Sequence, residues 1–401
     1  MTWSSSFASV RRLATLATLT VAVASVACGD ATPRTTPGSS TSASSREPPP
    51  PVATAAATLG SAIAAATPGT TIDLAPGTYP PIRIDRSGEI GRPITIRGTG
   101  GAVFTGNAEV IVRIAAGVHD VVLDGITVQA SPGHDRNGIV VRKGTSRIEL
   151  RGITVTGAGR DGILVEDTTD LTISGCTIRQ NATGVEVFGA TTGVIERCTI
   201  SENQTMITNT EGGDDDHGAY GIAAIRTTGD LLIRGNTFGA NRAPSYDYGI
   251  DGSGVEIYGA SGVRIEGNTF GDNRNAVETG RGPGDPDCER NTLIDNQIDP
   301  GPGQRPAAGV ILRCARGMVV RGNTITNVEE FALSVGGSGR FAGTIDGIRI
   351  EDNLLGSTDG PAMILYAEPP VSARFAGNRY LAGGVRLPNG TTVQRDEDIP
   401  R

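Results

Sequence analysis

A segment of short β-branched runs recurs along most of this chain, and this repeat constrains the fold more than any other feature. Three of its copies are 162–178 "GILVEDTTDLTISGCTI", 221–238 "GIAAIRTTGDLLIRGNTF" and 254–270 "GVEIYGASGVRIEGNTF". One position aligns through eleven copies, spaced 22–38 residues apart: Thr99, Ile126, Ile153, Cys176, Cys198, Asn236, Asn268, Asn296, Asn323, Asn353 and Asn378. Repeats of this length are typical of solenoids, in which each unit buries its apolar face against the next.

Each copy alternates apolar and polar residues with period two and is broken by Gly, Asp, Asn and Thr, which predicts two or three short strands joined by tight bends. Equivalent strands of successive copies would pair in parallel, about 4.8 Å apart. Like residues then stack, and the asparagines at one bend can hydrogen-bond along the stack. We therefore predict an all-β fold, a single-stranded right-handed parallel β-helix of about eleven coils. Left-handed hexapeptide helices and propellers have other repeat lengths, so neither fits.

The ends of the repeat predict the domain boundaries. Residues 58–79, "TLGSAIAAATPGTTIDLAPGTY", predict a short N-terminal helix followed by a strand, which would cap the open edge of the first coil. The β-helix is expected to span 58–385, with a C-terminal tail at 386–401. Residues 29–57 are rich in Pro, Ser and Thr and have almost nothing to bury, so we predict a disordered linker.

The first 28 residues are typical of a targeting segment. Two arginines precede the apolar run "LATLATLTVAVASVAC", which is too short to span a membrane but suits a signal peptide. The run ends at Cys28 behind small residues, which resembles a lipoprotein processing site and favours lipidation of Cys28 over plain secretion. We expect a protein outside the cytoplasm, either secreted or lipid-anchored at the cell envelope, with no membrane contact except that anchor.

The charge balance restricts the partners. The formal net charge is −8, and Lys143 is the only lysine among 35 basic residues. A net negative surface disfavours nucleic acid, and it disfavours polyanionic glycans unless cations intervene.

The four cysteines after Cys28 fall into two pairs in neighbouring copies. Cys176 and Cys198 share one register, and Cys288 and Cys314 nearly do. Outside the cytoplasm either pair could form a disulfide, and buried stacked thiols are the alternative.

Two insertions lengthen consecutive copies and mark the candidate site. They are 203–220, "NQTMITNTEGGDDDHGAY", and 241–253, "NRAPSYDYGIDGS". Because they follow one another in the repeat, we expect them to emerge side by side. Functional side chains of a β-helix belong on such loops and on outward-facing positions, since inward positions form the core.

Alternation in the neighbouring strands places a row of carboxylates on the outer face. In "GVEIY" the apolar Val255 and Ile257 face inward, so Glu256 faces outward, and its equivalents are Glu186, Ala223 and Glu278. Like charges about 5 Å apart destabilise a sheet unless something neutralises them. A bound Ca²⁺ is one solution, and its predicted ligands are Asp214, Asp215, Asp216, Glu256 and Glu278. Arginines paired with the glutamates on a solvated face, or a misassigned alternation, are the alternatives.

The same stretch supplies aromatic and polar groups for a ligand. We expect Glu186, Tyr220, Tyr246, Tyr248, Asp247 and Asp251 to bind substrate, because tyrosine rings stack on sugars while their hydroxyls stay hydrated.

The repeats, with the opening "TIDLAPGTYPPIRI…GRPITIRG", resemble the pectate-lyase-like right-handed β-helix superfamily, in particular secreted lyases of the chondroitinase B and alginate lyase type. The resemblance implies Ca²⁺ held by acidic side chains against a uronate, and a Lys or Arg that abstracts the adjacent proton. Lys143 lies about four coils, roughly 19 Å, before Glu256, so the base would be His217 or Arg281.

We therefore expect an exported β-helix that acts on an acidic polysaccharide by cation-assisted proton abstraction, as a lyase or an epimerase. A glycoside hydrolase that uses paired carboxylates is one alternative. A non-catalytic carbohydrate-binding or structural cell-surface protein is the other, because fold alone does not assign chemistry.

Overall fold

The computed structural model describes residues 54–131, 136–299, 308–337, 339–366 and 372–400. The predicted signal peptide, Cys28 and nearly all of the predicted linker lie outside the described residues.

Three long sheets run the length of the described chain, and each coil contributes one short strand to each of them in turn. The first and second sheets have twelve strands each and the third has thirteen. Neighbours along all three sheets are parallel, except the last pair of the third sheet, which is antiparallel. This is a parallel β-helix and confirms the prediction of about eleven coils. The additional coil lies before Thr99, where Thr71–Leu74, Gly77–Tyr79 and Ile82–Ile84 already form a complete turn.

The first sheet contains Thr71–Leu74, Ile94–Gly98, His119–Asp124, Ser146–Arg151, Thr169–Ser174, Gly193–Glu196, Leu231–Arg234, Val263–Glu266, Thr292–Ile294, Val319–Arg321, Ile348–Glu351 and Ala373–Ala376. The second contains Gly77–Tyr79, Ala102–Thr105, Thr127–Gln129, Thr154–Thr156, Thr177–Arg179, Thr199–Ser201, Thr237–Gly239, Thr269–Phe270, Gln297–Ile298, Thr324–Val328, Leu354–Ser357 and Arg379–Tyr380. The third contains Ile82–Ile84, Val110–Ile114, Asn137–Val141, Asp161–Glu166, Thr183–Phe188, Tyr220–Ile225, Ser253–Tyr258, Asn275–Gly280, Ala308–Leu312, Phe331–Val335, Met363–Leu365, Val385–Arg386 and Thr392–Val393.

Short elements complete the described fold. The predicted N-terminal helix is Ala56–Ala65, and its Leu59 and Ile63 are buried against the first coil. Three two-stranded pairs lie outside the long sheets: Met206–Thr208 with His217–Gly218, Ala243–Ser245 with Gly249–Asp251, and Ala315–Arg316 with Ile345–Asp346. A 3₁₀ turn, Asp396–Asp398, follows the last strand. Among the described residues, no helix combines the length and the apolar composition that crossing a bilayer requires.

The interior is a set of stacked columns of apolar side chains. In the first sheet, Leu150, Ile173, Ile195 and Ile233 occupy equivalent registers and are fully buried. Phe238 and Phe270 stack in the second sheet with ring centroids 4.8 Å apart. Period-two alternation thus builds a continuous core along one axis. A chain of this length would bury its apolar residues less easily in one globular core.

Two asparagine ladders stabilise the bends. In the first ladder, each backbone N–H from Asn236 to Asn353 donates to the Oδ1 of the next asparagine, ending at Asn378, at 2.9–3.1 Å. Asn181, Asn203, Asn241 and Asn273 form a second ladder of the same kind, at 3.1–3.3 Å. The stacking predicted from the repeat is therefore present, and it satisfies backbone groups that a buried bend would otherwise leave unpaired.

The bend before the first ladder needs a left-handed residue. Gly235, directly before Asn236, has φ +60°, and a Cβ there would meet nothing within 4 Å. Backbone conformation rather than space therefore favours glycine at this position.

The four cysteines in the described chain are buried and unbonded. The backbone N–H of Cys176 donates to Cys198 Sγ at 3.3 Å, and that of Cys288 to Cys314 Sγ at 3.0 Å. Of the two alternatives, the structure has the stacked thiols.

Candidate functional site

The two insertions lie in contact beside the third sheet. The Nδ2 of Asn209, in the first insertion, donates to the carbonyl of Pro244, in the second, at 3.0 Å. The Asp247 carboxylate accepts the backbone N–H groups of Gly212 and Asp214 at 3.0 and 2.8 Å. This adjacency, predicted from the consecutive long spacings, builds one wall of a cleft. It also gives Asp247 a structural role in joining the insertions.

The cleft has a volume of about 770 Å³, and the third sheet forms its floor. Residues 336–341, apart from 338, and Tyr366 also line it. The carboxylic residues that line it are Asp214, Asp215, Asp216, Asp251, Glu256, Glu278 and Glu330. The arginines are Arg226, Arg274, Arg313 and Arg340, and the aromatic side chains are His217, Tyr220, Tyr248, Tyr258, Phe331, Phe341 and Tyr366.

Two glutamates form the centre of the floor. Glu256 and Glu278 are register partners on adjacent strands, and Glu256 is preceded in the same register by Ala223 and Glu186, as the alternation predicts. The Ser253 hydroxyl donates to Glu256 Oε2 at 3.3 Å, and Asn275 Nδ2 donates to Glu278 Oε2 at 2.8 Å. Nη1 of Arg313 lies 3.0 Å from Glu278 Oε1.

The environment separates the proton affinities of these groups. Burial, followed by the neighbouring charge of Glu278, raises the pKa of Glu256 well above its ordinary value. Burial also raises the pKa of Glu278, but the Arg313 guanidinium offsets part of this effect. Burial raises the pKa of Asp251 as well. Burial opposes the charge of Arg313, yet Glu278 and Glu256 raise the pKa of that guanidinium, so it stays a cation. The floor therefore holds two carboxyl groups of unequal proton affinity, with Glu256 favouring its protonated form and Glu278 held closer to ionisation by Arg313.

The wall carboxylates form a separate group. Oxygens of Asp215, Asp216 and Asp247 lie within 4.8 Å of one another. Asp215 Oδ1 accepts the Thr210 N–H at 3.0 Å and Asp216 Oδ2 accepts the Ser245 hydroxyl, while Asp216 Oδ1 is buried without a hydrogen-bond partner. Three carboxylates, one with a spare buried oxygen, are a donor set that fits Ca²⁺.

The predicted metal ligands are thus divided between two places. Asp215 and Asp216 join Asp247 in the wall, and Glu256 and Glu278 lie in the floor. Asp214 is engaged by its neighbours: Arg340 Nε contacts its Oδ2 at 2.9 Å, and the Tyr248 hydroxyl donates to its Oδ1. The Arg340 guanidinium also lies over the Phe341 ring, 4.6 Å from its centroid.

The two predicted bases occupy different positions. His217 lines the cleft, with Nε2 3.7 Å from Glu186 Oε2 and its ring in a T-shaped contact with the Tyr220 ring. Arg281 is not among the described lining residues. Its Nη1 donates to the Asp285 carbonyl at 2.8 Å, and its Nε lies 3.4 Å from Asp287.

The predicted substrate-binding residues are only partly gathered in the cleft. Tyr220, Tyr248 and Asp251 line it. Tyr246 lies at the tip of its hairpin, 68% exposed, and does not line the cleft. Glu186 is buried behind His217 at 6% exposure, and Asp247 joins the insertions.

Sequence reasoning missed Arg313, the cation that contacts the floor. One signal could have found it. Outward positions alternate along the strand that follows the glutamate row, so Arg313 lies two residues beyond Ile311, the register partner of Glu278, on the same face. A row of carboxylates also requires a cation nearby.

Comparison with known proteins identifies the architecture. The model of the "Right handed beta helix region" family matches residues 110–298 and 220–379, which together exceed half of the chain. No curated protein is significantly similar in sequence.

Solved structures share the fold at low identity. A PL6 family alginate lyase, AlyGC, is 14% identical with a TM-score of 0.50, covering 83% of this chain and 52% of its own. The family 28 exopolygalacturonase of Yersinia enterocolitica is 11% identical with a TM-score of 0.50, covering 83% and 74%. A mutant DFA-IIIase from Arthrobacter chlorophenolicus A6 is 13% identical with a TM-score of 0.50, covering 82% and 87%.

The chain spans about half the length of the alginate lyase that it matches. The structural similarity to these proteins is a similarity of fold, and this fold occurs in both polysaccharide lyases and hydrolases. With the family match, it shows that the chain belongs to the right-handed β-helix family.

Proposed function

We propose that the protein is a glycoside hydrolase whose catalytic groups are Glu256 and Glu278. The observation that carries the proposal is the floor pair itself, in which two adjacent carboxyl groups have unlike partners. Glu256 has a pKa raised well above its ordinary value, and Glu278 lies 3.0 Å from Arg313.

The two groups divide the work of hydrolysis. Protonated Glu256 donates its proton to the glycosidic oxygen as that bond breaks. Ionised Glu278 either attacks the anomeric carbon, forming a glycosyl-enzyme that water then hydrolyses with Glu256 as the base, or accepts a proton from the water that attacks directly. Tyr248 and Tyr366, which are 47% and 43% exposed, offer ring faces for sugars at the sides of the cleft.

A polysaccharide panel tests this proposal. Neutral and uronic acid polymers are incubated with the protein, and both reducing ends and ultraviolet-absorbing unsaturated products are measured. Hydrolysis yields reducing ends without that absorbance. Glu256→Gln and Glu278→Gln should each abolish the activity. Glu266→Gln should not, because this glutamate lies on the first sheet and pairs with Arg264 at 3.0 Å.

Cation-assisted elimination or epimerisation on an acidic polysaccharide is the second candidate. Its supporting observation is the wall group of Asp215, Asp216 and Asp247, with the buried free oxygen of Asp216. Bound Ca²⁺ would supply positive charge to a uronate carboxylate, and His217, which lines the same cleft, would accept the proton. Arg281 is directed toward Asp285 and Asp287 instead.

Calcium dependence separates the two candidates. Unsaturated products, or uronate epimers, that disappear with a chelator and in Asp216→Asn would support the second candidate and contradict the first. Glycan binding with neither product would support a non-catalytic carbohydrate-binding protein.

We also propose export, supported by the signal-peptide pattern and by neighbours that act on polysaccharides. Mass spectrometry of the processed protein tests it. A lipid mass on Cys28, lost in Cys28→Ala, is expected for the anchored form, whereas an intact N-terminus in the cytoplasm would contradict export.

A further inference from the structure

Two buried carboxyl groups do not line the cleft but lie behind it: Glu186, which is next to His217, and Asp161, which is next to Glu186. Asp161 begins the strand Asp161–Glu166, and Glu186 belongs to the neighbouring strand Thr183–Phe188. Asp161 is fully buried and Glu186 is 6% exposed. The two side chains are within hydrogen-bonding reach of each other.

This pair has more buried acceptors than donors. Asp161 Oδ1 and Glu186 Oε2 are both buried without a hydrogen-bond partner. Asp161 Oδ2 accepts from Arg160 Nε at 3.3 Å, and His217 Nε2 lies 3.7 Å from Glu186 Oε2. Folded proteins rarely leave such oxygens unpaired, and two ionised carboxylates beside one guanidinium would bury an excess negative charge.

A single proton on the pair resolves both the unpaired oxygens and the excess negative charge. It gives one carboxyl group a donor for the other, and it leaves one negative charge to balance Arg160. We propose that Asp161 carries this proton and shares it with Glu186 by donating a hydrogen bond, and that Glu186, held in this way, positions the His217 imidazole at the wall of the cleft. Asp161 is then a positioning residue that acts through Glu186.

The surroundings agree with this assignment. Burial, and then the charge of Glu186, raises the pKa of Asp161 well above its ordinary value. The charged and titratable groups facing the pair are Arg160 and His217, with Tyr220 on the next strand. The Asp161 N–H donates to Asn137 Oδ1 at 3.1 Å, which fixes the start of its strand.

The pair can be tested without a substrate. The inference rests on the proposed function only in treating the cleft as the functional site. Because the measurements below need no substrate, a failure of this inference can be distinguished from a failure of the proposed activity. Nitrogen NMR of the ¹⁵N-labelled protein, with His217→Gln for assignment, reports which imidazole nitrogen carries the proton. We expect the Nε2–H tautomer at His217, donating to Glu186, and loss of that preference in Glu186→Gln. His119, which contacts Asp120 through Nδ1 at 2.7 Å, is the internal control and should not change.

The pH dependence of Tm tests the shared proton. A carboxyl group whose pKa is raised by folding stabilises the protein at low pH, and that stability is lost as the pH rises through the folded-state pKa. Asp161→Asn should therefore reduce the fall of Tm with rising pH, while Glu166→Gln, in the same strand and paired with Arg142, should leave this fall unchanged. An Nδ1–H tautomer at His217 in the wild type would overturn the positioning role. This measurement does not require a variant of Asp161 or Glu186. Parallel Tm profiles for Asp161→Asn and wild type would overturn the shared proton.

Discussion

Arg313 Nη1 lies 3.0 Å from Glu278 Oε1, whereas Glu256, the register partner of Glu278 one coil earlier, accepts from the Ser253 hydroxyl at 3.3 Å. Two chemically identical side chains in equivalent positions thus have different partners: Glu278 contacts a cation, and Glu256 contacts a neutral hydroxyl. Such a difference separates an acid from a base within one site. The floor of the cleft is therefore asymmetric although the repeat that builds it is regular.

Arg313→Gln should move the acid limb of the pH–rate profile to higher pH. Without the guanidinium, the pKa of Glu278 rises further, so more of this group is protonated at any given pH and inactive as the base. At the wild-type optimum we expect kcat/KM to fall by about 10-fold or more, up to the ~10²–10⁴ that a general acid–base group contributes. The measurement is kcat/KM against pH.

The matched control for Arg313 is Arg264→Gln, which breaks a surface pair with Glu266. Its profile should follow that of the wild type. An acid limb that stays in place in Arg313→Gln would show that Glu278 is not the ionising group.

Glu256→Gln should make the stability of the protein less dependent on pH. The folded-state pKa of Glu256 is raised by burial and by Glu278, so its protonated form is favoured by folding. The stability it provides is present at low pH and is lost as the pH rises through the folded-state pKa. Thermal unfolding measured from acidic to alkaline pH should show a smaller fall in Tm with rising pH for Glu256→Gln than for wild type. Glu266→Gln, at a half-buried position paired with Arg264, should reproduce the wild-type curve. A fall in Glu256→Gln as large as in the wild type would show that Glu256 does not bind this proton.

Asn268→Ala should destabilise the solenoid. Its Oδ1 accepts the N–H and the Nδ2 of Asn236 at 2.9 and 3.0 Å, and its Nδ2 donates to the Ile233 carbonyl at 2.9 Å. The substitution leaves the backbone N–H of Asn236 buried and unpaired, at a cost of about 1–3 kcal/mol, and it also removes the bonds to Asn236 Nδ2 and to the Ile233 carbonyl. Chemical denaturation measures the free energy of unfolding.

Gln204→Ala removes an exposed amide that donates to the Ala240 carbonyl at 3.3 Å, and it serves as the control for Asn268→Ala. It should change the free energy of unfolding by no more than about 0.5 kcal/mol. Equal effects of the two substitutions would mean that the ladder adds nothing to stability.

The repeat predicts the coils, the ladders and the row of outward glutamates because these depend on period and register alone. Alternation around Val255 and Ile257 was enough to place Glu256 on the outer face, and equal spacing was enough to align it with Glu278. Consecutive long spacings likewise predicted that the two insertions lie together, as the contact of Asn209 with Pro244 shows.

Contacts between irregular segments could not be predicted in this way. Arg340 reaches Asp214 across 126 positions of the sequence, and Asp247 binds the backbone of a different insertion. Loop conformations fix these contacts, and neither period nor alternation constrains a loop. The Asp161–Glu186 pair was missed for a related reason, since Asp161 lies at the start of its strand, outside the aligned glutamate position.

Asp396→Ala should loosen the last coil and leave the rest intact. Asp396 ends the first ladder: its Oδ2 accepts the Asn378 N–H at 2.9 Å, and its Oδ1 accepts Asn378 Nδ2 at 3.1 Å and the Tyr380 hydroxyl at 2.7 Å. Hydrogen bonds to a charged acceptor contribute about 1.5–3 kcal/mol, and losing three at an open end favours local fraying over global unfolding. Amide hydrogen exchange should accelerate at residues 376–380 and stay unchanged near Asn268. Glu397→Ala, which removes an exposed neighbour paired with Arg395 at 3.4 Å, should have no such effect. Faster exchange along the whole solenoid in Asp396→Ala would show instead that this end supports every coil.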